Sequence, residues 1–195
     1  MLYQVLGYFM RPLFAVLFRW EVEGFENIPE KDPVVFCSNH FSNWDPPVIG
    51  AAGRRTLAIM AKKELLDIPV VGQILQALGA FPVQRGLGDN QAIQLAVAEL
   101  HKGKSLLIFP EGTRSKTGEL GRARPGVIII AESAGLPIVP IAIVGPYHPF
   151  KKIRVIFGAP IDVKHDPAYV QLDARAKAQK VMDQIATTIE QKKIM

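Results

Sequence analysis

The sequence predicts one α/β domain in which helices flank a largely parallel, mixed sheet. Segments typical of strands and of helices alternate along the chain after residue 30, as they do in folds with parallel sheets. The chain has 195 residues, the length of a single domain, and no linker, internal repeat or low-complexity tract divides it. We therefore assign residues 21–195 to this domain and residues 1–20 to a separate N-terminal segment.

The first half of the domain contains three predicted strands and three predicted helices. Short apolar runs predict strands at Val34–Cys37, Thr56–Met60 and Phe81–Val83. An Asp-Pro-Pro run predicts a helix start, with Asp45 as the N-cap and Pro46 at the first helical position. Two short helices, Lys63–Leu66 and Val70–Leu78, follow the second strand on either side of Pro69.

The second half begins with a helix that Asp89 caps and that ends at Gly103. Further strands are predicted at Ser105–Phe109, Ile138–Val144 and Ile153–Phe157. Residues 110–124, rich in glycine, hydroxyl and charged side chains, predict a long loop, and Pro125 opens the next helix. The last helix is predicted to start after Asp166. Apolar residues at helical spacing mark its buried face: Ala178, Val181, Met182, Ile185 and Ile189.

The composition excludes several classes of protein. Hydrophobic residues make up 49% and charged residues 21% of the chain, so it is neither disordered nor collagen-like. The single cysteine, Cys37, excludes an internal disulfide and a multi-cysteine metal site, and we expect it to be buried and inert. The net charge of +5 predicts an anionic partner: nucleic acid, anionic lipid, a phosphate substrate or an acidic protein.

Residues 1–20 are the most apolar terminus of the chain and predict contact with a membrane. No small-residue cleavage site follows them, and Arg11-Pro12 interrupts the run that a spanning helix would need. Six aromatic side chains and two arginines suit a helix that lies in the membrane interface. The alternative is a terminal helix packed on the core of the domain.

Three familiar site patterns fail in this sequence. Gly103-Lys104-Ser105 resembles the end of a phosphate-binding P-loop, but a strand follows where a helix is required. No G-x-S-x-G sequence is present, so the nucleophile of that hydrolase class is missing. The four histidines lack metal-ligand spacing, and we expect neither a metal nor a cofactor.

Polar residues after the first strand form the best candidate for a catalytic site. His40 lies just past the carboxyl end of Val34–Cys37, where open α/β sheets bind ligands. Asp45 is five residues further on, so the two side chains meet only if a turn folds His40 back over the helix start. A carboxylate bonded to one imidazole nitrogen would make the other a general base for an alcohol. The alternative is a structural histidine beside a plain N-cap.

Three further segments place cations or a flexible backbone just past strand ends. The sequence FPEGTRS leaves the strongest strand with Gly112, which lets a ligand approach the backbone, and Arg114, whose planar fork suits phosphate. Lys62 and Lys63 follow the second strand, and Arg85 follows the third. Taken alone, each of these segments is equally typical of a solvated surface.

Taken in their order along the chain, the four segments resemble those of the glycerolipid acyltransferase family. This family comprises the 1-acylglycerol-3-phosphate acyltransferases and their glycerol-3-phosphate relatives. The family's N-H-x₄-D block matches residues 39–45, and its F-P-E-G-T-R-S block matches residues 109–115 without departure. Weaker blocks match Phe81–Arg85 and Ile138–Ala142. The resemblance covers about residues 20–165, and the first two blocks together are highly specific.

This resemblance implies an enzyme that moves an acyl chain from a thioester to the sn-2 hydroxyl of 1-acylglycerol-3-phosphate, giving phosphatidic acid without a covalent enzyme intermediate. His40 would take the hydroxyl proton, and Asp45 would orient His40. The resemblance assigns the acceptor phosphate to a further set of residues: Arg114, Arg85, Lys62 or Lys63, and Thr113, in a pocket shaped by Glu111 and Gly112.

The resemblance also implies the partners and the place of action. The donor would be acyl-CoA or acyl carrier protein, and the acceptor lysophosphatidic acid. The protein would act as a monotopic or peripheral enzyme on the anionic, cytoplasmic face of the cell membrane. Glycerol-3-phosphate or another lysolipid is an alternative acceptor, and a non-catalytic lipid-binding module is an alternative class. Nucleic acid is not expected, because the sequence has no basic helix or aromatic-basic platform.

Overall fold

A seven-stranded sheet forms the centre of the protein in a computed structural model, which describes residue 12 and residues 14–83 and 89–193. The strands are β1 (Glu21–Glu23), β2 (Val35–Ser38), β3 (Leu57–Lys62), β4 (Ala80–Val83), β5 (Ser105–Ile108), β6 (Ile138–Val144) and β7 (Arg154–Phe157). Their spatial order is β1-β7-β6-β2-β5-β3-β4, and each neighbouring pair is parallel except β6 with β7. The predicted fold class, a largely parallel mixed sheet, is confirmed.

Helices cover both faces of this sheet. The α-helices of the described residues are α1 (Asp45–Gly53), α2 (Lys63–Leu66), α3 (Val71–Ala77), α4 (Asp89–His101), α5 (Gly126–Ala134) and α6 (Ala174–Lys193). A 3₁₀ turn covers Phe25–Asn27, and residues 14–18 are also helical. Residues 110–124 contain no helix or strand, as predicted for a loop.

Alternating side chains along each central strand enter two separate cores. In β2, Val35 and Cys37 pack with α4, α5 and α6, whereas Phe36 packs on the opposite face with α1. Successive side chains of a strand point to opposite faces, so a strand buried on both faces is apolar throughout. This explains why β6, with all seven residues buried, was predicted with its exact bounds.

The parallel register brings the carboxyl ends of β2, β3, β4, β5 and β6 to one edge of the sheet, called here the carboxyl edge. The antiparallel pairing of Val144 with Arg154 places the start of β7 at this edge as well. The polar segments predicted after the strands therefore meet along one side of the molecule.

The described part of the N-terminal segment packs on the domain. Phe14 and Phe18 are buried in the α1 core, while Val16 between them is 70% exposed. The packing that the sequence offered as an alternative therefore holds for one face of residues 14–18. Residues 1–11 and 13, which carry most of the predicted membrane-interface helix, lie outside the described residues. No helix of the described residues is both long and apolar enough to cross a bilayer.

Two elements differ from the sequence-based expectations. The last helix begins at Ala174 rather than after Asp166, because Asp166 accepts a hydrogen bond from Ala168 N (2.8 Å) and starts a series of turns instead. Asp173 caps the helix through Ala176 N (2.8 Å). The edge strand β1 was not predicted, because two of its three residues are glutamates.

Candidate active site

His40 and Asp45 form a hydrogen-bonded pair at the carboxyl end of β2. His40 Nδ1 lies 2.7 Å from Asp45 Oδ2, and the imidazole side chain is 17% exposed while the carboxylate is fully buried. An ionised carboxylate can only accept, so Nδ1 carries the proton and Nε2 presents a lone pair. The predicted turn that folds His40 back over the start of α1 is confirmed.

The same carboxylate holds the turn that makes this contact possible. Asp45 Oδ2 also accepts hydrogen bonds from Phe41 N and Ser42 N, both at 2.8 Å. The prediction that Asp45 is the N-cap of α1 is wrong. Trp44 is the N-cap, and Asp45 is the first residue of the helix, with its carboxylate turned back onto the preceding loop. Asp45 thereby fixes both the loop and the tautomer of His40.

The loop after β5 fixes the backbone of His40 on both sides. His40 N donates to Glu111 Oε1 (3.0 Å), and Ser115 N donates to His40 O (2.8 Å). The ring of Phe109 stacks on the imidazole, with centroids 3.9 Å apart and planes 17° from parallel. Backbone bonds set the position of His40, and the stacked ring sets the plane of its imidazole.

Asn39 connects the same loop to the neighbouring strand. Its side chain donates to Ile143 O (3.0 Å) and accepts from Ile143 N (2.9 Å), so it pairs with β6 as a backbone segment would. Asn39 is 5% exposed, and burial makes an unpaired amide costly. The residue before His40 therefore keeps the carboxyl ends of β2 and β6 together.

Glu111 and Gly112 shape the site through the backbone. Both carboxylate oxygens of Glu111 are used, since Oε2 accepts from Gly121 N (2.8 Å) while Oε1 binds His40 N. Gly112 has φ 71°, a conformation that a side chain rarely adopts, and a Cβ there would lie 2.9 Å from Arg124 Nε. These contacts fix the loop, and the role of Glu111 and Gly112 in shaping a phosphate pocket stays a prediction.

The predicted phosphate-binding residues that the structure describes lie on two segments of the carboxyl edge. Arg114 and Thr113 are exposed on the loop after β5, and Lys62 and Lys63 are exposed at the end of β3. Strand β3 is two positions from β2 in the sheet, about 10 Å away at ordinary strand spacing. Within the described residues these three cations form no ion pair that would compete for an anion. Arg85 lies outside the described residues.

A cavity of about 640 Å³ lies next to β6 and β7, and residues 117–119 of the loop after β5 also line it. Asn39 and Phe41, the two sequence neighbours of His40, line it together with apolar Ile143 and Ile189. Cations form part of its rim: Lys152, Arg154, Lys192 and Lys193. Three of them are paired with acidic residues of β1, so the rim is only partly free to bind an anion.

The remaining candidates for covalent or metal chemistry are not suited to it. Cys37 is completely buried, and burial raises the pKa of its thiol to about 12, so the thiolate is scarce at neutral pH. Among residues 14–83 and 89–193, no group of three or more His, Cys, Asp or Glu side chains is placed to hold a metal ion. The His40–Asp45 pair is therefore the candidate for chemistry at this edge.

The sequence did not reveal the roles of Phe109, Asn39 and Tyr147. Phe109 and Asn39 lie in recognised segments, but stacking and a side-chain bridge to β6 depend on residues distant in the chain. Tyr147 follows β6 and packs against Phe41, with ring centroids 5.4 Å apart. No sequence signal connected it with this site.

The chain is similar in sequence to known acyltransferases. The 1-acyl-sn-glycerol-3-phosphate acyltransferase of Pseudomonas aeruginosa is 36% identical over 173 residues, which cover 82% of this chain and 66% of that relative. The chloroplastic 1-acyl-sn-glycerol-3-phosphate acyltransferase BAT2 of Brassica napus is 34% identical over 131 residues, 66% of this chain and 38% of the relative. The chain thus spans only part of the length of these relatives.

The fold is also similar to a solved structure. The crystal structure of the 1-acyl-sn-glycerophosphate acyltransferase PlsC from Thermotoga maritima superposes with a TM-score of 0.75 at 26% identity, over 97% of this chain and 78% of that one. The family model described as Acyltransferase matches residues 19–144. That match contains the His40–Asp45 pair and the loop that fixes it, and it extends over more than half of the sequence, so the chain belongs to the acyltransferase family.

Proposed function

We propose that this protein transfers a fatty acyl chain from an acyl thioester to the sn-2 hydroxyl of 1-acylglycerol-3-phosphate, producing phosphatidic acid. The observation that carries the proposal is the 2.7 Å contact between His40 Nδ1 and the buried carboxylate of Asp45. This contact leaves Nε2 as a base on a partly exposed ring at the carboxyl edge. Membership of the acyltransferase family supports the same reaction class.

The proposed reaction is a direct transfer assisted by one general base. His40 Nε2 takes the proton of the acceptor hydroxyl while the hydroxyl oxygen attacks the thioester carbonyl. The C–S bond of the tetrahedral intermediate then breaks, and the imidazolium returns the proton to the leaving thiolate. Asp45 stabilises the imidazolium in between, since its carboxylate is hydrogen-bonded to Nδ1–H.

The two substrates are proposed to approach His40 from opposite sides. The unpaired cations Arg114, Lys62 and Lys63 suit the acceptor phosphate on the β5–β3 side, with Arg85 and Thr113 as further ligands. The cavity on the β6 side, with an apolar wall and a basic rim, suits the acyl thioester, whether the carrier is coenzyme A or acyl carrier protein. Direct transfer requires both substrates to reach His40 Nε2.

A lipid acceptor also requires contact with a membrane, and exposed apolar residues at the carboxyl edge support such contact. One group, here called the α2–α3 patch, consists of Leu65, Ile68, Val70, Val71 and Ile74. A second exposed apolar side chain is Phe150 in the β6–β7 loop, residues 145–153. Lysines lie next to both: Lys62 and Lys63, and Lys151 and Lys152. We propose an anionic membrane surface as the partner, at the cytoplasmic face of the cell membrane.

An acyl-transfer assay tests the reaction. The purified protein is given acyl-CoA or acyl carrier protein thioester with 1-acylglycerol-3-phosphate, glycerol-3-phosphate or a zwitterionic lysolipid. We expect thioester consumption and phosphatidic acid only with the first acceptor. Turnover with another acceptor would reassign the substrate, and no turnover with any donor would favour a non-catalytic lipid-binding module.

His40→Gln should lower the rate about 10²–10⁴-fold, the usual contribution of a general base. The matched control is His165→Gln, because His165 also forms a hydrogen-bonded pair with a carboxylate, Asp162 at 2.9 Å, but on the exposed surface. We expect the control to retain the activity of the unsubstituted protein. Near-normal turnover of a folded His40→Gln protein, with an unchanged melting temperature, would refute the role of His40.

A further inference from the structure

Asp45 has one carboxylate oxygen that the contacts described so far do not use. Oδ2 accepts three hydrogen bonds, from His40 Nδ1, Phe41 N and Ser42 N. Oδ1 is buried and has no hydrogen-bond partner among the described residues. A buried carboxylate oxygen left unpaired is costly and uncommon, so a donor is expected close to it.

Tyr147 offers such a donor. Its hydroxyl is also buried without a partner in hydrogen-bond geometry among the described residues. The ring is held between Phe18 and Phe41, with centroid distances of 5.5 and 5.4 Å. Burial raises the pKa of Tyr147, and the negative charge of Asp45 raises it further. The Tyr147 ring packs on Phe41, whose N–H donates to Asp45 Oδ2 (2.8 Å), so the hydroxyl and Oδ1, both without a partner among the described residues, belong to the same buried cluster.

We propose that Tyr147 is a positioning residue whose hydroxyl donates to Asp45 Oδ1 during acyl transfer, extending the His40–Asp45 pair to three residues. This inference rests on the proposed function. The reaction places a positive charge on His40, which Asp45 must balance without rotating away. A donor on Oδ1 holds the plane of the carboxylate, so that Oδ2 stays aligned with Nδ1.

The position of Tyr147 in the fold supports this role. It comes three residues after the end of β6, the strand that Asn39 ties to the His40 loop. Phe18 of the N-terminal helical segment packs edge-on against its ring, with the planes at 83°. The hydroxyl thus receives its position from elements on both sides, and it cannot turn toward water without disrupting this packing.

The first test is Tyr147→Phe, which removes the hydroxyl and keeps the ring packed between Phe18 and Phe41. We expect kcat to fall about tenfold with KM for both substrates unchanged, because the lost hydrogen bond acts on the base rather than on binding. The matched control is Tyr169→Phe. Among the described residues, Tyr169 also has a buried hydroxyl without a hydrogen-bond partner. The amine of Lys180 lies over its ring, 4.9 Å from the centroid, and the described contacts of Tyr169 do not include the His40–Asp45 pair. The control should retain full kcat.

Two further readouts distinguish this role from a purely structural one. In the Asp45→Ala background, Tyr147→Phe should have almost no additional effect, because the acceptor of the proposed hydrogen bond is already absent. In proton NMR spectra, the Nδ1–H signal of His40 should shift or broaden in Tyr147→Phe and stay in place in Tyr169→Phe.

Each outcome bears on the proposal. Wild-type kcat in Tyr147→Phe, additive effects in the double variant, or an unchanged Nδ1–H signal would overturn it. A rise in KM with unchanged kcat would assign Tyr147 to substrate binding and would overturn the proposal as well. The NMR comparison needs no turnover, so a protein that shows the signal shift but transfers no acyl group would refute the proposed function and leave the Tyr147–Asp45 contact standing.

Discussion

Arg114 is an exposed guanidinium on the loop that also fixes the backbone of His40. Its neighbours explain why it is exposed: Glu111 points into the protein toward His40 N and Gly121 N, and Ser115 N binds His40 O. The side chain between these anchors is left to face the solvent at the carboxyl edge. A rigid loop that presents an unpaired planar cation is well suited to phosphate.

Arg114→Ala is expected to raise KM for the lysophosphatidic acid acceptor about 10–100-fold, the usual size of a lost charge-assisted hydrogen bond of about 1.5–3 kcal/mol. KM for the thioester should stay unchanged, and Arg114→Lys should restore binding only partly, because a lysine lacks the planar fork. Steady-state kinetics with each substrate varied in turn measure both constants. Arg122→Ala, an exposed arginine on the same loop, is the control. Equal losses for both substrates would indicate a structural role.

At this scale the sequence predicted the identity of the pair but not all of its geometry. Its spacing required a turn between His40 and Asp45, and that turn is present. The same local pattern favoured Asp45 as an N-cap, since the sequence cannot show that the amides of residues 41 and 42 compete for the carboxylate. For Glu111, the two backbone partners lie 71 and 10 residues away, beyond any local pattern.

At the scale of elements, the loop of residues 109–124 is ordered by its contacts with the turn after β2. It carries no helix or strand, yet Glu111 joins its two halves through Gly121 N and connects it to His40 N. Arg124 N adds a hydrogen bond to Pro110 O at 2.9 Å, which closes the loop at its base. Long loops in compact domains commonly carry function. Here the hydrogen bonds that order the loop also hold the backbone of His40, the proposed base.

Glu111→Gln should therefore affect stability and activity together. The substituted amide retains one acceptor, but its NH₂ group faces a backbone N–H, so one buried donor is left unpaired. We expect the free energy of unfolding to fall by about 1–3 kcal/mol and kcat to fall with it. Denaturant unfolding and single-turnover kinetics measure the two effects. Glu30→Gln, at an exposed glutamate ahead of β2, should change neither. A normal kcat in a destabilised Glu111→Gln protein would show that the loop contributes to stability but not to the proposed action of His40.

The elements that the sequence predicted well are those with a simple burial pattern. Strand β6 is buried along its whole length and matches its predicted bounds. Strand β1 was missed because its glutamates are satisfied by cations far along the chain, Arg154 and Lys192 among them. The start of α6 was misplaced because Asp166 and Asp173 are both good caps, and the burial of Tyr169 between them favours the later one.

At the scale of the whole molecule, the carboxyl edge presents apolar side chains on both sides of His40. Val70, in the α2–α3 patch, is 63% exposed, and Phe150, in the β6–β7 loop, is 69% exposed. Both residues have positive φ, 66° and 63°, which costs a β-branched or aromatic residue roughly 1–3 kcal/mol. Strained backbone that holds apolar side chains in solvent is expected at sites of function, and here both such sites flank the proposed base.

Val70→Asp and Phe150→Asp should each weaken binding to anionic vesicles and lower activity on long-chain lysolipid presented in vesicles. A carboxylate removes apolar area from the contact and repels the anionic headgroups. Co-sedimentation with vesicles that contain phosphatidylglycerol measures binding. High salt should loosen the unsubstituted protein only partly, since burial of apolar area is not screened.

The control for this experiment lies at the opposite end of the molecule. Val170 is 48% exposed ahead of α6, whose other end reaches Glu23 and Arg154 at the carboxyl edge about 30 Å away. Val170→Asp adds the same charge on a comparable exposed side chain, and should leave vesicle binding intact. All three variants should retain activity on a water-soluble, short-chain lysolipid, because none of them touches the His40–Asp45 pair. If Val170→Asp weakens binding as much as the other two, net charge and not the carboxyl edge determines where the protein meets the membrane.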